Sequence, residues 1–235
     1  MLFIAVLFLI FWMPSDAFAW GPLTHVYLAS QVLDMLPILP AAVAAVLRKY
    51  PQDFIYGNIM ADMIFGKKYL PESKRGHDWK SGLSFLRQSR KGSEKAFIYG
   101  YLCHLAADTV AHEILTEYRQ NISHALIEMQ VDSMMDKIYW RKSVTISREV
   151  QRRNDRFLET SLESYMFSLK TSRLIFKSIV FLSFLNKRRL FGLNKRQISR
   201  LQQESLARMI DLLQNGKDAS VVGRNPMAGK RRAHV

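Results

Sequence analysis

The chain has 235 residues, 49% of them hydrophobic, and a net charge of +14 from 34 Lys and Arg against 20 Asp and Glu. That length and apolar content suit one sizeable domain and exclude a disordered polyelectrolyte. A single cysteine, Cys103, excludes any internal disulfide, so stability has to come from helix packing, bound metal or both.

Residues 1–12 are almost unbroken Leu, Phe, Ile, Val and Ala, followed by Pro14 and the small-residue signature Ala17-Phe18-Ala19. The run is shorter than the roughly 20 residues of a membrane-spanning helix and suits a signal peptide cut between Ala19 and Trp20. No Lys or Arg precedes it, and an uncleaved membrane anchor is the alternative. Cleavage removes one acid, Asp16, raising the charge from +14 to about +15. The expected product is secreted or periplasmic. A basic exported protein is drawn to phosphate-rich surfaces, either anionic lipid or nucleic acid, and charge does not choose between them.

Beyond the leader, apolar residues at helical spacing predict a helix over 23–36, ended by Pro37 and Pro40, and a short one over 41–50. Residues 51–75 read as loop-rich because of Gly57, Gly66 and Pro71. A strong helix follows over 93–118, with Ser93 and Glu94 as its cap, then helices over 122–137, 154–170, 171–186 and 195–214. No run of alternating strand residues stands out. The reading is an all-α fold, one multi-helix domain over 20–214, with 215–235 as a flexible basic tail carrying Lys230-Arg231-Arg232.

Five of the six histidines fall between residues 25 and 124, interleaved with acids. His104, Asp108 and His112 step by four along one predicted helix, about 40° per step, so their side chains share a face. His124 and Glu128 repeat the spacing on the next helix. Two adjacent helices can thus aim three imidazoles and two carboxylates into one space, a nitrogen–oxygen ligand set that suits zinc. A polar stripe facing solvent would give the same spacing. Against that stands the apolar company of Leu102, Leu105, Ala106, Ala107 and Val110, among which Asp108 is costly to bury uncompensated. Upstream, His25, Asp62 and His77 are weaker candidates, each explicable singly as a hydrogen-bonded or solvated residue. Cys103 reads as a packed core thiol.

The series Trp20…His25…Asp62…His77…His104-x3-Asp108…His112…His124-x3-Glu128 resembles the bacterial zinc-dependent phospholipase C family, to which fungal single-strand-specific zinc nucleases are related. The likeness covers residues 20 to about 135. It implies a trinuclear zinc site between helices. Asp62, His77, His104 and Asp108 would hold the first ion. The free α-amine and carbonyl of Trp20, His25 and a shared Asp108 would hold the second. His112, His124 and Glu128 would hold the third, with Asp132 as a possible stand-in for Glu128. It also implies phosphodiester hydrolysis by hydroxide held at the Asp108-bridged pair, oriented by Asp62, so Asp62 and Asp108 are the catalytic candidates. Two departures stand out: Ala61 replaces the Pro often found before the first acid, and four residues separate Asp108 from His112, a shorter gap than in the best-known members.

Phospholipid is the implied substrate, with diacylglycerol and a phosphorylated headgroup as products. Nucleic acid is the alternative, although the fungal nucleases typically carry disulfides that one cysteine cannot form. A third reading is a non-catalytic, metal-stabilised membrane-binding protein. The apolar segment 174–193, ending in Lys187-Arg188-Arg189, reads either as an interfacial helix or as a buried core helix. Nothing in the sequence points to a protein partner.

Overall fold

The computed structural model describes residues 20–63, 77–114, 130–161 and 194–226, with the side chains of 62, 63, 112 and 114 excepted, and every regular element among them is helical. Helix α1 spans Pro22–Asp34, with Pro22 at a position where its missing N–H costs nothing. Pro37 falls in a 3-10 turn over Leu36–Ile38, where the chain cannot continue as α-helix. Helix α2 (Ala41–Lys49) and helix α3 (Pro51–Met63) follow. Helix α4 (Trp79–Gln88) is capped by Asp78, whose Oδ1 accepts from Ser81 N at 2.8 Å. Helix α5 spans Gly92–Ile114. After it come α6 (Lys137–Val144), α7 (Arg148–Ser161) and α8 (Lys195–Asn215).

Helix α5 is the axis of the bundle. Residues 101–111 are all buried, so this stretch has no solvent face; α1, α2, α3, α4, α7 and α8 pack against α5. Helix α3 lies beside α5 and runs in the same direction, crossing it at two glycines. A Cβ at Gly57 would overlap the Phe97 carbonyl, and one at Gly100 would overlap the Phe54 carbonyl. The two backbones touch there because neither carries a side chain. Helix α4 returns antiparallel, setting Gly82 against Leu102 and Leu105, and Phe85 edge-on to Tyr101 at 5.8 Å between ring centroids. Helix α7 is tied to α3 by Arg153 and Asn154 on Asp53 and by Tyr56 Oη donating to Asp155 at 2.6 Å. Helix α6 packs along α1, with Tyr139 edge-on to Tyr27 and Lys142 donating to Ser30 at 3.0 Å.

Several sequence expectations are corrected. Residues 51–63 form α3, not loop: Gly57 marks a close approach of two backbones, which a local rule reads as a breaker. Helix α5 starts at Gly92 with Ser93 buried inside it. Glu94 turns back on its own, its Oε2 accepting from Arg90 N and Lys91 N at 2.9 and 3.0 Å. The helix expected over 122–137 is described only from Gln130 and stops at Ser133, and Asp136 then caps α6, so Lys137 opens a helix. Helix α7 begins at Arg148, six residues before the expected 154. The segments 115–129 and 162–193, with the apolar stretch 174–193, lie outside the described residues.

The chain does not leave the bundle at Asn215. Gly216 (φ 58°) turns it, and Val221 is fully buried. Trp79 Nε1 donates to the Arg224 carbonyl at 2.6 Å, and the Arg224 guanidinium meets Glu113 at 2.7 Å. Residues 216–226 are thus part of the packed body; of the expected tail, 227–235 lie outside the described residues.

Candidate metal centre

Four of the sequence candidates meet at one buried point. His25 comes from the first turn of α1, His77 from just before α4, and His104 and Asp108 from the middle of α5. Their exposures are 1%, 2%, 0% and 0%. Asp108 Oδ1 faces His25 Nε2 at 3.2 Å, while Oδ2 faces His104 Nε2 at 3.0 Å and His77 Nε2 at 3.3 Å. The two latter nitrogens are 3.1 Å apart. His25 stacks on His104 with 3.9 Å between centroids, and His77 stands edge-on to His104 at 5.2 Å.

These separations fit ligands around a cation. Nitrogen and oxygen donors at about 2.0–2.1 Å from a tetrahedral zinc stand about 3.3 Å from one another. Neither oxygen of Asp108 receives a hydrogen bond of acceptable geometry, although three imidazoles crowd it. A buried carboxylate needs a positive centre beside it, supplied either by protonated imidazole or by a bound cation that the imidazoles share. Burial pushes Asp108 up, but the charges of His104 and His25 beside it more than reverse that and hold it well below the usual carboxylate range. His25, His104 and Asp108 bring one ligand atom each within 4.8 Å of one another, as a bound ion requires.

The fold sets each ring. His104 Nδ1 faces the Asn58 carbonyl at 2.8 Å, which presents Nε2 to Asp108, as an outer-shell partner does for a metal-bound imidazole. The glycine crossing of α3 and α5 makes that contact possible, since Asn58 is next to Gly57. Asp62 lies one turn further along α3, its side chain outside the described set. His112 lies one turn beyond Asp108 on α5, likewise without a described side chain, and His124 and Glu128 lie outside the described residues.

Trp20 is buried at the start of α1, its indole Nε1 donating to the Ala107 carbonyl at 3.2 Å and to Ser205 Oγ at 3.0 Å. Asp132, considered as a stand-in for Glu128, is engaged elsewhere. Its carboxylate accepts from Leu23 N, Thr24 N and Thr24 Oγ1 at the start of α1. Burial pushes its carboxyl up to about 7, against the pull of those bonds. Sequence reasoning missed this role. The available signal was a helix opened by Gly21-Pro22 with no capping side chain of its own, which demands a cap from elsewhere. Cys103 is buried, as a core thiol, with burial holding it well above its ordinary pKa.

Helices wrapped on a central helix, with imidazoles and a carboxylate converging inside, define an all-α protein with a buried candidate metal centre. A family model described as zinc dependent phospholipase C matches residues 24–173, well over half the chain, and the chain belongs to that family. No curated protein and no solved structure matches it. Among the described residues no helix is long and apolar enough to cross a membrane.

Proposed function

We propose that the protein is an exported zinc-dependent phosphodiesterase that hydrolyses phospholipids, releasing diacylglycerol and a phosphorylated headgroup. The observation that carries the reading is Asp108, whose two oxygens face different imidazoles. Oδ1 belongs to His25, and Oδ2 to His77 and His104. A carboxylate so placed suits two ions, one on each oxygen. The first would take His77, His104, Asp108 and, from the end of α3, Asp62. The second would take His25, Asp108 and the backbone amine and carbonyl of Trp20, once cleavage after Ala19 frees that amine. His112, His124 and Glu128 are assigned to a third ion by their order in the family pattern.

Bound zinc supplies Lewis-acid charge and lowers the pKa of a coordinated water from 15.7 towards about 7. The chain's own contribution is to fix the donors. The Asn58 carbonyl holds the His104 ring, the apolar wall of α5 excludes bulk water, and Asp108 stays anionic. Asp62 is the residue assigned to orient the attacking water. No side-chain nucleophile is invoked.

The test is hydrolysis of phosphatidylcholine vesicles and of single-stranded DNA, each with and without a chelator, alongside zinc analysis. Lipid cleavage that stops with chelator is expected. Asp108→Asn is expected to lower it more than about 100-fold, since loss of even an outer-shell partner costs 10–100-fold. DNA cleavage without lipid turnover would favour a nuclease, a reading the net charge of +14 also suits. If zinc binds and neither substrate turns over, the enzyme reading fails.

A further inference from the structure

Asp132 is a buried carboxylate that the proposed chemistry does not use. It reaches across more than a hundred residues to the first turn of α1. Oδ2 accepts from Leu23 N at 2.9 Å, and Oδ1 accepts from Thr24 N at 2.9 Å and Thr24 Oγ1 at 2.8 Å. Those amides belong to the first helical turn, where N–H groups have no partner within the helix. Gly21, in the capping position, offers no side chain to them. Nor could it carry one: a Cβ there would stand 2.5 Å from the Asp132 carboxylate. Glycine here is the space the carboxylate occupies.

The two clamped residues sit between Trp20 and His25. On one side the Trp20 indole is anchored to α5 and α8, and on the other the His25 ring stacks on His104. A first turn starting Gly-Pro without a cap would fray, and the ordering entropy would then fall on metal binding.

We infer that Asp132 is a positioning residue that clamps the start of α1, so that the Trp20 backbone and the His25 ring are held at the metal centre before an ion arrives. The inference rests on the reading of this segment as a metal ligand. Two variants disturb the clamp from opposite sides. Asp132→Ala removes both acceptor oxygens, and Gly21→Ala leaves Asp132 intact but drives it from its seat. Leu47→Ala, in the buried face of α2, is the control that lowers stability away from the site.

The readouts are amide hydrogen exchange at Leu23, Thr24 and His25 in the metal-free protein, and zinc affinity by competition with a chelating dye. Both clamp variants are expected to speed exchange at these amides and to raise the zinc Kd about 10-fold or more, the scale of a lost outer-shell partner. The control is expected to lose at least as much Tm with its zinc Kd within about 3-fold of wild type. Unchanged zinc Kd in the clamp variants, or losses that track Tm as in the control, would overturn the clamp while leaving the metal-site reading standing. A wild-type protein that binds no zinc would remove both.

Discussion

Gly100→Ala tests the link between backbone packing and the centre most directly. An added Cβ would lie 3.0 Å from Asn58 N and from Phe54 C, and closer still to Phe54 O, all of them backbone atoms of α3. No side-chain rotation relieves such a clash, so α3 and α5 must part by more than about 1 Å to restore ordinary contact. Alanine gains about 1 kcal/mol of helix propensity over glycine. Overpacking of a well-filled contact costs about 1–3 kcal/mol, and here it falls on two rigid backbones, at the upper end. The net loss is about 2 kcal/mol, a fall of about 4–8 °C in Tm for a domain this size. The same displacement stretches the 2.8 Å contact between His104 Nδ1 and the Asn58 carbonyl beyond hydrogen-bonding range, so zinc affinity should fall about 10–100-fold. Thermal denaturation of the chelated protein, followed by zinc competition, measures both. A variant as stable as wild type or more so would show that propensity wins and that the helices do not touch at Gly100.

Two further outcomes are expected. Asp132 holds its proton to about pH 7 in the folded state against 3.8 when unfolded, so its contribution to stability falls as pH rises through that interval. Three units correspond to about 4 kcal/mol at most, and Asp132→Asn should flatten this slope in chelated protein denatured at pH 4.5 to 7.5; identical slopes would contradict it. Trp79→Phe removes the donor to the Arg224 carbonyl and should cost about 1 kcal/mol while raising proteolytic susceptibility after Asn215; unchanged cleavage there would mean that other contacts hold 216–226 down.

Part of the centre was legible because it is local. His104 and Asp108 are one helical turn apart, and the helix that carries them announces itself by its apolar residues, so their shared face follows from geometry. The all-α class follows for the same reason, and the order of imidazoles and carboxylates along the chain suffices to suggest the family. Which oxygen of Asp108 meets which imidazole is not local. It depends on α1, the segment before α4 and α5 arriving together, and only packing decides that.

The remaining differences share one cause. Gly57 reads as a breaker taken singly and Gly100 as one more position of a helix, whereas in the bundle they are the surface on which α3 meets α5, because absence of a side chain permits both a turn and a close approach. Asp132 reads as another acid near assigned ligands, and its partners are amides more than a hundred residues away. The segment 216–226 reads as tail from its glycines and charges, but Val221, Arg224 and the Trp79 indole fasten it to the body. Periodicity and ligand spacing along the chain specify which helices exist and which residues can bind metal. Contacts between distant segments decide where the donors meet and what holds them there, since one sequence pattern is compatible with many packings and the observed one buries Asp108 against three imidazoles.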